Sequence, residues 1–434
     1  MKRILILGSG ISGLACAIQC ARDGCQVVLA SPFPSEQAKS VLVSRAWSAG
    51  RNDVEEGDGV TCHVEDTMRT GYYIASLRAV EGMCRCAPLI VRWLDSLGTT
   101  LGDSGQKRTV GSELPAGQQI MKALLQEARP LEADGRIYRL RRTRFHSAIL
   151  KDGICHGALL YREDYHKLQA VTADAVVMAT GGQEGLFGKN AGAALCDGSA
   201  AGRLFLQGVK LRNLEFIQYH GSTAQGSSAV SEVPFFMGGI AVDQLHCTNL
   251  KRLYAVGECA SLYHGAGLLE GNSLLSAIYG GMMAAASIRT VNPLYHSFCH
   301  SDFAKEQEER WNGSQKQQSG CSLSSVREDV ARVLGECLEG HRTEDGLRRG
   351  IETVDFYRSA FLASGFGGGY ESDRVESMVD LAKAVLTCAR DRRESRGVHI
   401  REDFPEQREE FQCATEISYG EGEFRTEFVN IRNL

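Results

Sequence analysis

The stretch Ile4-Leu5-Ile6-Leu7-Gly8-Ser9-Gly10-Ile11-Ser12-Gly13-Leu14-Ala15-Cys16-Ala17-Ile18 decides the fold. An apolar run leads without a break into G-x-G-x-x-G and then into an apolar pattern of helical period. Gly8 permits a tight turn, Gly10 lets backbone come close to a phosphate, and Gly13 lets helix pack on strand. A helix that begins at such a turn offers its free N–H groups and the positive end of its dipole to an anion. After Gly24, Cys25-Gln-Val-Val-Leu-Ala30 reads as a second strand and completes a βαβ unit. The pattern predicts a dinucleotide pyrophosphate at Gly8, Ser9, Gly10, Ile11, Ser12 and Gly13. The acid that usually closes the second strand and holds the adenosine ribose is replaced by Ser31, so shorter or backbone groups must take its place.

With 434 residues, 43% hydrophobic and 23% charged, the chain can bury one large domain and a smaller one. A formal net charge of -5 gives no footing for nucleic acid. The basic clusters Arg139 to Arg144 and Arg390 to Arg393 read as solvated faces or local ion pairs. The 15 cysteines contain no C-x-x-C pair and read as small buried apolar groups in a reducing compartment, with no metal site expected. The apolar stretch from Leu274 to Ile288 is interrupted by Ser276, Tyr279, Gly280 and Gly281. The expectation is a soluble, cytoplasmic protein with no membrane partner.

Apolar residues recur at helical spacing from Asp66 to Leu97. Arg136 to Leu150 and Gly153 to Arg162 read as antiparallel strands about the Asp152-Gly153 turn. A buried strand from Ala173 ends in Ala179-Thr180-Gly181-Gly182, and Cys196-Asp197-Gly198 opens a helix. Another strand, Leu253 to Val256, ends in Gly257-Glu258, and Asn272-Ser273-Leu274-Leu275 opens a long apolar helix. Past Pro293 the spacing predicts amphipathic helices over 323–340, 344–362 and 372–394, then strands over 416–419 and 423–429. The fold class expected is α/β: a Rossmann-like domain over 1–295, in which a parallel sheet with helices carries an antiparallel insertion. A helical domain over 296–405 and a strand-like tail over 406–434 complete the chain.

Taken together, the Gly8 fingerprint, Ala179 to Gly182, Gly257-Glu258, Asn272 to Leu275, His63-Val-Glu-Asp66-Thr67 and Arg393-Glu-Ser-Arg396-Gly-Val-His399-Ile-Arg401-Glu-Asp-Phe-Pro405 resemble the succinate dehydrogenase and fumarate reductase flavoprotein family, which includes L-aspartate oxidase. The motifs fall in the same order over nearly the whole chain. The resemblance implies FAD and an oxidoreductase. It implies that Gly8 to Gly13 hold the pyrophosphate and that Ala179, Thr180 and Gly181 pass beside the adenosine half, with Asp197 also lining the site. Glu258 would accept hydrogen bonds from ribityl hydroxyls, with a plain salt bridge as the alternative. Asn272, Ser273, Leu274 and Leu275 would set a helix amino terminus against the flavin, where its dipole favours the charge added on reduction. Capping of that helix by Asn272-Ser273 is compatible with this role.

Departures from the family pattern shape the expected chemistry. The family's capping domain is reduced to a vestige near 221–236. Its H-Y-T-x-G-G stands here as Pro234-Phe235-Phe236-Met237-Gly238-Gly239, and its H-G-A-N-R as His264-Gly265-Ala266-Gly267-Leu268. Two groups that would bind a C4 dicarboxylate are therefore absent, and leucine cannot replace a bidentate arginine. The segment matching the family's A-A-Q-G-G run contributes Ser44, Arg45, Ala46, Ser48, Ala49 and Gly50 to the expected cofactor site. It lacks the histidine of covalent flavoproteins, so FAD should be noncovalent.

The expected reaction moves a hydride between flavin and an organic substrate, with His220, His264 and Arg401 handling protons and orientation. For each histidine a purely structural hydrogen-bonded role stays open, and for Arg396 and Arg401 so does domain docking. The alternative is an electron-transfer or assembly subunit whose flavin a partner protein covers.

Overall fold

The computed structural model describes residues 1–42, 46–47, 59–99, 102–103, 109–111, 115–188, 196–220, 232–294, 301–313, 322–364 and 368–433. Strand β1 (Arg3–Leu7), helix α1 (Ile11–Arg22) and strand β2 (Gln26–Ser31) form the expected βαβ opening. Helix α1 ends in a Schellman-type turn: Gly24 has φ +82, and the Cys25 N–H donates to the Cys20 carbonyl at 3.0 Å. Then follow β3 (Ala46–Trp47), α2 (Val60–Thr70), α3 (Leu77–Ser96), β4 (Gly102–Asp103), β5 (Thr109–Gly111), α4 (Ala116–Ala133) and β6 (Ile137–Arg141). The middle of the chain gives β7 (Thr143–Lys151), β8 (Ile154–Arg162), β9 (Lys167–Thr172), β10 (Ala175–Met178), α5 (Ser199–Leu206), β11 (Leu211–Arg212), β12 (Ile217–His220) and β13 (Glu232–Phe236). The last part holds β14 (Gly239–Ala241), β15 (Leu253–Ala255), β16 (Ala260–Ser261), α6 (Asn272–Thr290), α7 (Ser301–Gly313), α8 (Leu323–Leu338), α9 (Glu344–Ser364), α10 (Tyr370–Asp391), β17 (Ala414–Gly420) and β18 (Glu423–Val429).

The main sheet runs β15-β10-β1-β2-β6 with every pair parallel: Ile4 lies opposite Ala175 and Val27, Val176 opposite Leu253, and Val27 opposite Ile137. Its central strand is apolar on both faces because α1 packs on one side and the β8 and β9 hairpin on the other. Helix α6 crosses α1 so closely that a Cβ on Gly281 would stand 2.6 Å from the Ser12 carbonyl oxygen. A parallel sheet collects all its carboxyl strand ends along one edge, and that edge carries the site described below.

The reading of Arg136 to Leu150 as one strand is corrected. Arg142 takes a left-handed φ of +50 and splits it, so β6 enters the parallel sheet while β7 pairs antiparallel with β8. The Asp152-Gly153 turn forms with φ +52 and +71, the conformation of a type I′ hairpin. The strands at 414–420 and 423–429 are not a separate tail. Strand β17 pairs with β11, placing Ile417 opposite Leu211 in the sheet β16-β14-β11-β17-β18. Local periodicity reveals such a strand but not a partner some two hundred residues away. Helix α7 lies outside the expected helices, because its sequence is mostly polar; its Ala304 packs on Ile149, Leu159 and Leu168 of the β7-β8-β9 sheet. The later helices fall close to the expected ranges, and α10 seats on α5, where a Cβ on Gly202 would lie 2.0 Å from the Ser377 carbonyl oxygen. Among the described residues no helix is long and apolar enough to cross a membrane.

Candidate functional site

Strands β1, β10 and β15 end side by side, which brings Gly8, Ala179 and Gly257-Glu258 to one edge of the sheet. The amino termini of α1 and α6 open onto the same place, and neither carries a side-chain cap. Together they bound a trench enclosing about 1450 Å³, open solvent included. Gly8, Ser9, Gly10, Ile11, Ser12, Ser31, Ala179, Thr180, Gly181, Asp197, Glu258, Ser273 and Leu274 all line it.

The glycines show what the trench is shaped for. Gly8 has φ +113, and a Cβ there would meet the Ala179 carbonyl oxygen at 2.0 Å; a Cβ on Gly13 would meet the Gly8 carbonyl oxygen at 2.0 Å. Both are demanded by the packing of the protein itself. Gly10 differs: its Cβ would make only ordinary contacts, 3.7 Å to Ala38 Cβ and Ser40 Oγ, so the protein alone does not require glycine there. A bare backbone facing a cavity at a helix amino terminus fits a phosphate-bearing ligand. Gly10→Val is therefore expected to melt within about 1 kcal/mol of the parent protein without ligand while binding FAD at least tenfold more weakly. Equal FAD affinity in a fluorescence titration would remove the ligand as the reason for this glycine.

Next to the phosphate turn, where the Ile11 N–H reaches Ser40 Oγ at 3.5 Å, Lys39 stands between two carboxylates, bonded to Glu184 and, at 2.6 Å, to Glu258. Glu258 also accepts the Phe236 N–H at 3.1 Å. Burial works against the Lys39 charge, but Glu258 and Glu184 outweigh it and raise its pKa. Burial and the nearby Glu258 push the Glu184 carboxyl up to about 7, against the pull of Lys39. Among the described residues one lysine faces two buried carboxylates, so the cluster tends to hold a proton. Neither Lys39 nor Glu184 is conspicuous in the sequence, since one lies in the polar run after β2 and the other just past the Gly181-Gly182 turn. The opposite wall, Phe33, Arg144, Phe145 and Tyr370, was equally hidden, because it comes from separate elements.

Other expected residues take different places. Ser31 folds back on its own turn, donating to the Phe33 carbonyl at 2.6 Å. Asp197 accepts from the Ser199 N–H at 3.0 Å and pairs with Arg374, which ties α10 to the trench floor. Asn272 is turned to α2: its Oδ1 lies 2.8 Å from His63 Nε2 and its Nδ2 donates to Thr67 Oγ1 at 2.9 Å. The His63 to Thr67 motif thus clamps the start of α6. Leu275 is wholly buried in the core beneath it.

His264 is buried against Phe235, ring centroids 5.4 Å apart, and burial lowers its pKa to about 4. Its Nε2 lies 3.1 Å from Ser276 Oγ, whose own proton goes to the Ser273 carbonyl. The ring must then donate from Nε2, leaving Nδ1 as a bare acceptor, and no partner for that nitrogen is seen among the described residues. Arg401 lies elsewhere. Its guanidinium is wholly buried, bonded to Asp403, to Glu344 and to the Ala389 and Arg390 carbonyls at the end of α10. Arg396 pairs with Glu394, and His399 sits between Arg342 and the Arg392 carbonyl. This late motif is a docking network. The side chains of His220 and Ala46, and Ser44, Arg45, Ser48, Ala49 and Gly50, lie outside the described residues; the Ala46 backbone is part of β3.

The FAD binding domain family matches residues 3–229 and 224–274, and the fumarate reductase flavoprotein C-terminal family matches residues 369–434. The chain is 24% identical to a succinate dehydrogenase flavoprotein subunit of Bacillus subtilis over 94% of its length and 92% of the relative's. It is 25% identical to an L-aspartate oxidase of Pyrococcus furiosus, covering 94% and 97%. The Bacillus alignment runs over 538 positions against 434 residues here, so that relative carries inserted segments this chain lacks. Among solved structures, an E. coli quinol fumarate reductase chain superposes with a TM-score of 0.84 at 20% identity, covering 100% of this chain and 98% of that one. Fold, trench and comparisons converge: the chain belongs to the succinate dehydrogenase and fumarate reductase flavoprotein family and is an FAD-dependent oxidoreductase.

Proposed function

We propose that the protein moves a hydride between noncovalently held FAD and an organic substrate other than a C4 dicarboxylate. The observation that carries this reading is the apolar cluster next to the trench. Phe235, Met237, Ile74, Phe216 and Ala266 are buried together, with Tyr72, Leu268 and Val398 packed on them. Pro234, next to Phe235, and Leu268 stand where the family motif places a substrate-binding histidine and a carboxylate-clamping arginine. Burying a dicarboxylate there would leave its charges unpaired, at a cost no contact in the cluster offsets. A flat, uncharged electron acceptor or donor, such as a quinone or an enone, suits these walls.

FAD supplies the hydride chemistry once bound. The chain's own residues do the rest. Gly8 to Gly13 and the α1 terminus hold the phosphates, and the α6 terminus, fixed by Asn272, His63 and Thr67, orients the reacting end. Phe235 excludes water. His264, packed behind Phe235, is kept neutral above about pH 5 by its low pKa and offers Nδ1 as an acceptor.

A second reading, in which a partner protein covers the flavin, is favoured by one solved neighbour being a chain of the Mycobacterium smegmatis Sdh1 complex. The test uses purified FAD-loaded protein bleached with dithionite under anaerobic conditions. Quinones and enones are expected to restore the yellow colour at least tenfold faster than fumarate. Recovery with fumarate alone would overturn the substrate class, and recovery only with a co-purified protein would establish the second reading.

A further inference from the structure

The cluster of Lys39, Glu184 and Glu258 has more charge than cofactor binding alone requires. Three short turns, at 39–42, 184–186 and 257–259, deliver the three side chains to one point of the trench. Their convergence depends on Gly182, where a Cβ would stand 2.6 Å from Glu184 Oε1 and 2.8 Å from Glu258 Oε1 and would force the carboxylates apart. Glu184 is 2% exposed, and its Oε2 is buried with no partner among the described residues. Lys39 also lies over the rings of Phe235 and Phe236, 5.6 and 5.9 Å from their centroids, which keeps its charge out of water. Among the described residues the other titratable groups facing the cluster are the Cys196 thiol, pushed well up by burial, and Asp197, already paired with Arg374. Neither can serve as a proton store near neutral pH.

We propose that Lys39, Glu184 and Glu258 act as one proton-exchanging charge cluster that raises the reduction potential of the bound flavin. In a flavin held in this trench, two-electron reduction would add negative charge within the field of the cluster. With both carboxylates ionised the cluster carries a net negative charge and opposes that addition; with Glu184 protonated, Lys39 and Glu258 form a neutral pair and the ammonium can favour it. Reduction therefore takes two electrons and a proton to the flavin, together with one more proton from solvent to Glu184 Oε2. Dithionite or the reducing substrate supplies the electrons. Glu184 and Lys39 are positioning residues in this scheme, since they act on the flavin through charge. The inference depends on flavin lying in the trench and not on the substrate class proposed above; the visible absorbance of each variant reports flavin loading separately.

The experiment is a spectroelectrochemical titration of the FAD-loaded protein from pH 6 to 9. The parent potential is expected to fall more steeply with pH than that of Glu184→Gln, approaching an extra tenfold change in the reduction equilibrium per pH unit, about 30 mV. Lys39→Met is expected to disfavour reduction at least tenfold at pH 7.5, and Lys39→Arg to restore it. Superimposable pH slopes for the parent and Glu184→Gln, or an unchanged potential in Lys39→Met, would overturn the proposal. Should Lys39→Met fail to load, Lys39→Gln is measured instead; loss of flavin from both, with Lys39→Arg still yellow, would assign Lys39 to binding and equally overturn it.

Discussion

Replacing Arg392 by methionine is expected to destabilise the protein by about 3–5 kcal/mol, the cost of stranding a buried charge without its partner. Its side chain is wholly buried and bonds Glu215 at 2.7 Å, Glu394 at 2.8 Å, the Phe411 and Cys413 carbonyls and Thr415 Oγ1. The aromatic faces of Phe216 and Phe428 lie 5.0 and 5.4 Å from the guanidinium carbon. Removing the cation leaves Glu215 and Glu394 buried without their counter-charge, although Arg396 still pairs with Glu394. Arg392→Lys keeps a charge but not the planar fork, so an intermediate loss is expected. Urea unfolding checks both, and a change below 1 kcal/mol for the methionine variant would show that the network contributes little.

The second large effect is acid lability set by neutral buried histidines. Burial lowers His246 and His264 to about 4, and it lowers His146 and His399 as well, the last further opposed by Arg342 and Arg392. The unfolded chain, with histidine near 6.5, binds more protons between the two values. Stability is thus full above pH 6.5 and falls as the pH drops below it. Each of His246 and His264 is expected to remove about 2 kcal/mol between pH 7.5 and 5.0. Glu184 works in the opposite sense, since its raised pKa makes the folded state take up a proton first as the pH falls. The net expectation is a loss that shrinks in His264→Gln and grows in Glu184→Gln, each by about 2 kcal/mol, read from urea midpoints at the two pH values. Equal losses in all three proteins would mean that neither group is shifted.

The phosphate turn was legible because its residues are contiguous and each glycine answers a local steric demand. The same holds for the strand ends at Ala179 and Gly257 and for the helix opened by Asn272. Residues that work across elements were not legible. Lys39 and Glu184 matter only because three turns meet, and α7 hides a small apolar contact in a charged sequence. Arg401 looked like site chemistry because its motif is rich in basic residues. The structure spends those charges on holding α10, the segment from Arg392 to Asp403 and β17 to the dinucleotide domain.

The register of the main sheet bears on how the chain is made. Ile4 of β1 pairs with Ala175 of β10, and Val176 of β10 pairs with Leu253 of β15. During synthesis at roughly 5–20 residues per second, β1 emerges about ten to thirty seconds before its inner neighbour exists. For that interval one of the most apolar strands of the protein has only β2 and α1 to cover it. Slowing translation between 30 and 175 is expected to lengthen that interval and with it the exposure of the nascent strand to aggregation.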